Sequence, residues 1–200
     1  QNKPASVIDI GCASGAFLHY LCNHINIKKA TGVDVSDKHL SLAKKKMPNI
    51  NFINSSVFKL VSADLPKYDI CFFLGVMPIF DNITSILQIL ISIIKKTGTI
   101  YILDSINDDP VDMLMRYKLS SENSDWKSGF NIRSKMSYKR ILKKIDPKLK
   151  YRFYPFNINF SIKKTNDPMR AWTIRTNENK YQQVVGTGQM LNPTILEVSY

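Results

Sequence analysis

The residues best suited to chemistry come early in the chain. Asp9-Ile10-Gly11-Cys12-Ala13-Ser14-Gly15-Ala16-Phe17 starts inside an apolar run at residues 7–10 and leads into a segment with helical spacing. Glycines at such a junction let the backbone turn tightly and approach a ligand. The first turn of the helix behind them offers N–H groups with no intrahelical acceptor. Gly32-Val33-Asp34-Val35-Ser36 ends the next apolar run and places the Asp34 carboxylate 25 residues after Asp9. An acidic side chain there accepts hydrogen bonds from both hydroxyls of a ribose. A glycine loop alone is a weak signal, whereas loop and carboxylate together point to a nucleoside-bearing ligand. The spacing Gly11, Ala13, Gly15 departs from the GxGxxG preferred by dinucleotide oxidoreductases.

A second set of candidates lies further along. Asp104 closes the apolar run 99–103, and open α/β sheets bind ligands outside the carboxyl ends of their strands. Asp81 follows another such run, and Asp108 and Asp109 lie just beyond Asp104. Asp104, Asp81 and Asp108 are therefore candidates for catalytic work at an acceptor. Asp108-Asp109-Pro110 also reads as an ordinary turn. His19, His24 and His39 fall on the first two helical segments and read as structural or solvated. Cys12, Cys22 and Cys71 form no CxxC pair and no even framework. That favours a reducing, cytoplasmic compartment, and no metal site is expected.

An alternation of strands and helices must hold these residues. Residues 7–10 read as a buried strand, after which Phe17, Leu18, Leu21, Cys22 and Ile25 recur at helical spacing. A strand at 30–35 precedes a helix with Leu40, Ala43 and Met47 on one side and Lys38, Lys44, Lys45 and Lys46 on the other, closed by Pro48. Residues 51–53 form a short strand. Residues 69–74 (DICFFL) read as a strand buried on both faces of a parallel sheet. A helix over 82–95 leads through a turn at 96–98 into a strand at 99–103. This predicts an α/β, doubly wound, mostly parallel sheet with helices on both faces. After Asp104 the rhythm breaks. Residues 105–136 are polar and irregular, Ser137 caps a helix running to Ile145, and 151–162 and 171–176 read as strands. Residues 182–196 suggest a hairpin around Gly186-Thr187-Gly188.

In this order the motifs resemble those of the class I S-adenosylmethionine-dependent methyltransferases, over residues 5–105. VIDIGCASGAF is similar to the family's first motif, with Ala13 where glycine is commonest, and TGVDVS to the second. NFINSSV occupies the third, with Ser56 in place of the aspartate that bonds the adenine amino group. YDICFFLGVM resembles the fourth, and KTGTIYI the strand after it. The resemblance implies a Rossmann-like seven-stranded sheet with an antiparallel final strand, and S-adenosyl-L-methionine as cofactor. It implies a cofactor site made of Asp9, Gly11, Cys12, Ala13, Ser14, Gly15, Asp34, Val35, Ser56, Val57, Leu74 and Gly75. Within it, residues 11–15 hold the methionyl end, Asp34 the ribose, and Leu74 and Gly75 the sulfonium side. The resemblance is closest to small bacterial methyltransferases of surface-polysaccharide (capsule) and secondary-metabolite pathways.

Two hundred residues, 44% of them apolar, suit a single domain, with 5–105 as its cofactor half and 106–200 as its acceptor half. The chain opens on Gln1 and a strand follows almost at once, so the natural N-terminus is expected to be missing. The longest apolar stretch, 83–94, falls short of the roughly 20 residues a bilayer span needs. Net charge is +12, and residues 116–175 carry the excess, with 16 basic and 4 acidic side chains and all six arginines. A basic block of this kind draws in anions, and Arg116, Tyr117, Arg133 and Tyr138 are candidates to grip one. No RNP, KH or helix-turn-helix signature accompanies the charge. LGVMPIF is not (D/N)PP(Y/F), and no Pro-Cys dipeptide offers a nucleophile. A small anionic acceptor is thus favoured over nucleic acid. The expected reaction is O-methylation of a nucleotide-linked sugar or phosphoramidate-type capsule precursor, with an RNA methyltransferase and a non-catalytic pseudo-enzyme as alternatives. The insertion 105–136, with Trp126, Gly129 and Phe130, is expected to cover the acceptor. Residues 181–200 are expected to run past the sheet's last strand, to close the pocket or pair with a second copy.

Overall fold

The apolar runs become the strands of one sheet. The computed structural model describes residues 5–121 and 125–200. Strands β1 (Ala5–Ile10), β2 (Ile27–Asp34), β3 (Asn51–Asn54), β4 (Tyr68–Leu74) and β5 (Ile94–Asn107) lie parallel, connected on one side or the other by helices α1 (Ala16–His24), α2 (Asp37–Lys46) and α3 (Ile83–Ile93). The second half adds β6 (Arg116–Tyr117), β7 (Lys127–Ser128), β8 (Arg133–Ser134), α4 (Lys135–Ile145) and β9 (Lys150–Pro155). It ends with β10 (Trp172–Arg175), β11 (Tyr181–Val184), β12 (Met190–Leu191) and β13 (Pro193–Ser199). The main sheet runs β3-β2-β1-β4-β5-β13-β9, with β13 antiparallel to both neighbours and β8 pairing with the end of β5. The expected mostly parallel sheet of about seven strands is present. Strands β10–β12 form a separate small sheet, and β6 and β7 a two-stranded ribbon.

Local signals place the helices. Ser36 Oγ accepts from the His39 N–H at 3.3 Å to cap α2, whose last turn carries Lys44, Lys45 and Lys46 against the negative end of the helix dipole. Asn82 Oδ1 accepts from the Thr84 N–H at 3.0 Å to start α3. Helix α3 buries Ile83, Ile86, Leu87, Ile89, Leu90, Ile91 and Ile93, because the sheet, α4 and the 3-10 turn Val57–Val61 enclose it. On the other face, Leu18 of α1 and Leu40 and Ala43 of α2 pack against Val7 and Phe52.

Several expectations shift. Ser134, not Ser137, caps α4: its Oγ accepts from the Ser137 N–H at 3.1 Å, while the Ser137 hydroxyl donates to Asp112. Strand β5 spans 94–107, with residues 95–98 bulged out as the pairing with β4 jumps from Tyr68↔Ile94 to Ile70↔Thr99. Strand β4 is fully buried only on the side of Tyr68, Cys71 and Phe73; Ile70 and Phe72 stay half-buried under the short α1. Beyond Pro155 the extended run 151–162 leaves the sheet, because its partner β13 begins at Pro193. The hairpin at 182–196 ends with β12. Residues 193–199 insert between β5 and β9, with Leu196 and Val198 fully buried, so this segment is a sheet strand and no longer a candidate lid or dimer surface. The insertion starts after Asn107 and ends at α4, folded around the β6–β7 ribbon; its residues 122–124 lie outside the described residues.

Truncating Leu87, which is fully enclosed in α3, to alanine leaves a cavity and should cost about 2–5 kcal/mol in urea unfolding. Leu42→Ala, on the exposed side of α2, should stay within about 0.5 kcal/mol of wild type.

Candidate functional site

Strand order reverses between β1 and β4, so the loops leaving their carboxyl ends part and open a crevice. A cleft of about 410 Å³ opens there, and Gly11, Asp34, Val35, Ser56, Val57 and Gly75 line it. Gly11 has φ +82°, and a Cβ on it would sit 2.3 Å from Val76 Cγ2; only glycine lets the loops after β1 and β4 meet at the floor. The Gly11 and Cys12 N–H groups donate to the Val33 carbonyl at 2.7 and 3.0 Å, tying the loop to β2.

Asp34 ties the loop after β1 to the loop after β2. Its Oδ2 accepts from the Ala13 N–H at 2.9 Å and its Oδ1 from the Ser36 N–H at 2.9 Å. Each oxygen retains lone-pair capacity for a ligand hydroxyl. Ala13 is held at φ +47°, the left-handed region that glycine adopts without strain. Asp9 is buried beneath the loop, and burial, reinforced by the charge of Asp34, pushes its pKa up to about 7.

Two other expected cofactor residues also make packing contacts. A Cβ on Gly15 would lie 2.5 Å from Met47 Cε, so its place against α2 and β3 requires glycine. The Cys12 thiol sits in the core beside Phe52, and burial, with Asp9 and Asp34 nearby, pushes its pKa up to about 12. Ser14 and Leu74 are half-buried outside the cleft lining. The cleft also uses Phe58, Val76, Ile79 and Phe80, which the sequence reading missed. For Val76, Ile79 and Phe80 the signal was an apolar run, VMPIF, directly after the glycine that follows β4.

A family model described as a methyltransferase domain matches residues 1–158. The chain belongs to that family. Among solved structures, the plantazolicin methyltransferase BamL, in complex with a triazolic desmethylPZN analog and SAH, gives a TM-score of 0.58 at 23% identity. That similarity covers 78% of this chain and 60% of BamL. DhpI, in its SAH complex, gives 0.59 at 12% identity over 96% of this chain and 75% of DhpI. YcgJ from Bacillus subtilis gives 0.60 at 12% identity over 98% of this chain and 91% of YcgJ. These likenesses establish the family's fold. The release factor glutamine methyltransferase of Fusobacterium nucleatum subsp. nucleatum is 34% identical over 75 residues, which is 35% of this chain and 21% of that protein.

Burial takes Asp104, Arg133 and Tyr138 out of reach of a ligand, and pairs within the protein occupy Asp81, Arg116 and Asp108. Asp104 does not end its strand, since β5 continues to Asn107, and it is only 3% exposed. Its Oδ2 accepts from the Tyr138 hydroxyl at 2.6 Å and its Oδ1 from the Ser105 N–H at 2.7 Å. Burial pushes its pKa up to about 6, and burial also pushes that of the fully enclosed Tyr138 far up. The pair fastens α4 to β5 instead of meeting a ligand. Asp81 is exposed but occupied, accepting from Arg116 at 2.6 Å, Ser128 at 3.0 Å and Asn131 at 3.2 Å. Those bonds, Ser128's first, hold its carboxyl below the usual range. Arg133 is buried and donates to the carbonyls of Asp81 and Met113. Asp108 pairs with Lys135. Tyr117 is half-buried in β6, its ring against Gly129. Arg116 and Arg133 thus stitch the insertion to the end of β4.

Asp9 is protonated in the folded protein up to about pH 7 but ionised in the unfolded chain above about pH 4. Its burial therefore costs stability increasingly as pH rises from about 4 to 7, and by a constant amount above that. Urea titrations should find Asp9→Asn stabilised over wild type at pH 8, with the gain vanishing toward pH 4. Ala13→Gly exchanges strain of about 1–2 kcal/mol for a smaller loss in unfolded-chain entropy. A rise of about 2 °C in Tm is expected by calorimetry.

Proposed function

We propose that this chain transfers a methyl group from S-adenosylmethionine to an oxygen of a small acceptor bearing an anionic group. A nucleotide-linked sugar or phosphoramidate-type precursor of a surface polysaccharide fits that description. The observation that carries this reading is the cleft at the switch point. Its volume lies in the range of small-ligand sites. Val35, Phe58 and Ile79 expose 69%, 50% and 52% of their surface beside it, an apolar lining suited to a flat heteroaromatic ring. Asp34 stands where a ribose diol would be held, and nothing lies within 4 Å of a Cβ built on Gly75, which leaves room on the β4 side.

Bound there, S-adenosylmethionine supplies an electrophilic methyl carbon on a sulfonium. An acceptor oxygen would take that methyl carbon, the electron pair of the broken carbon–sulfur bond remaining on sulfur. The chain's residues contribute positioning, which can supply much of the rate of such an in-line displacement. Among the described residues lining the cleft, Asp34 is the one carboxylate, and its oxygens already hold two backbone N–H groups. A site of this kind suits an acceptor that arrives ionised, which argues for a phosphate-type group. Lys139, Arg140, Lys143 and Lys144 on the exposed side of α4 add a long-range attraction for such an anion. The reading places the protein in the cytoplasm, where its unpaired cysteines stay reduced. Among the described residues no helix is long and apolar enough to cross a membrane.

Titration calorimetry with S-adenosylhomocysteine tests the reading. Wild type should bind in the micromolar range, Asp34→Ala at least about 100-fold more weakly, and Phe58→Ala about 10-fold more weakly, since losing buried apolar area costs about 1–2 kcal/mol. Because Asp34 also holds two N–H groups, circular dichroism must show Asp34→Ala folded. A folded wild type that releases no binding heat would sink the proposal.

A further inference from the structure

The carboxyl edge of the sheet carries more than the cofactor cleft. Where β5 and β9 end and β13 begins, a cavity of about 210 Å³ opens and continues into a groove of about 880 Å³. Both are lined by Asn157, Ile158, Tyr181 and Gln182, so they form one depression.

Its walls are rich in side-chain amides. Asn157 and Asn159 follow β9, Asn177 precedes β11, and Asn192 leads into β13. Among the described residues, these four side-chain amides make no hydrogen bond to protein. The charged groups in the walls are consumed in pairs, Asp108 with Lys135 and Glu178 with Lys180. What remains is a neutral surface of donors and acceptors beside the Tyr181 ring, which Arg175 backs at 5.2 Å.

Each kind of ligand asks for a different wall. A phosphate asks for free arginine or lysine, and an apolar ring for apolar side chains. A side-chain amide presents a donor and an acceptor side by side, and adjacent hydroxyls on a ring each donate and accept in the same way. An aromatic ring adds a flat face for C–H groups. We infer that this groove binds a neutral carbohydrate and lays it along the sheet edge toward the cofactor cleft. The inference rests on the methyl-transfer reading for the direction in which the sugar is presented; the binding itself does not. β13 and β4 are two strand spacings apart, roughly 10 Å, so an extended ligand bridges the two sites. Gln189 Nε2 donates to the Phe130 carbonyl at 3.2 Å, which fixes the β11–β12 hairpin, one wall of the groove, to the insertion.

Saturation-transfer NMR on the full chain tests this with maltose, lactose and cellobiose at millimolar concentration, and with uridine diphosphate as an anionic comparison. Transfer to ring protons of at least one disaccharide is expected. It should fall at least about fivefold in Asn157→Ala/Asn177→Ala and in Asn159→Ala/Asn192→Ala, all exposed positions. Affinity for S-adenosylhomocysteine should be unchanged in both double variants, and Phe58→Ala should keep the full sugar signal. No transfer to any of the three disaccharides overturns the inference. So does an undiminished signal in both double variants, or transfer to uridine diphosphate alone. Failure of the methyl-transfer reading would show separately, as no binding of S-adenosylhomocysteine with the sugar signal intact.

Discussion

The Asp34 carboxylate holds two backbone N–H groups from different parts of the chain, and the cleft is arranged around that double bond. One oxygen fixes Ala13 in the loop after β1, and the other fixes Ser36, which in turn caps α2. A single side chain therefore fixes both the loop after β1 and the start of α2. Its charge has a cost nearby. Asp9 lies buried beneath the same loop and rises to about pKa 7, so its own charge is largely withheld until the pH passes neutrality. A cation entering the cleft would favour the ionised form of Asp9, coupling ligand binding to release of a proton.

A second set of polar contacts builds the other side of the edge. Asp81 gathers Arg116, Ser128 and Asn131, while Arg133 donates to the Asp81 and Met113 carbonyls. Asp112 accepts from the Ser134 N–H and the Ser137 hydroxyl at the start of α4. These bonds let a polar segment with little apolar content take a defined shape against β4 and β5. Two of the six arginines, the exposed Arg116 and the buried Arg133, are spent on bonds within the protein in this way. The rest of the positive charge in residues 116–175 faces solvent, much of it on α4.

The loop, Asp34 and the first five strands were legible because their signals are local: a glycine turn, a carboxylate at a strand end, apolar runs with helical spacing between them. What escaped depends on distant pairing. Residues 193–199 look like any apolar tail until β5 and β9 take them on both sides. Asp104 reads as a strand-end carboxylate because nothing local reveals that β5 runs three residues further, or that Tyr138 from α4 will cover it. Gly15 shows in the sequence as a loop glycine, but not that Met47 and Phe52 crowd the place its Cβ would take. In each case the missing information was which residue from elsewhere in the chain stands opposite.

Topology explains why the amide groove lies beside the cofactor cleft. β9 runs parallel to β5, so it ends at the carboxyl edge, and β13 runs antiparallel, so it begins there. The connection from 156 to 192 must start and finish at that one edge. Whatever it folds into, here a small three-stranded sheet with amide-bearing turns, is delivered to the side of the sheet where the switch point opens. The antiparallel strand thus lets residues 156–192 leave and rejoin the sheet at one edge, without disturbing the strands and loops that Asp34 ties together.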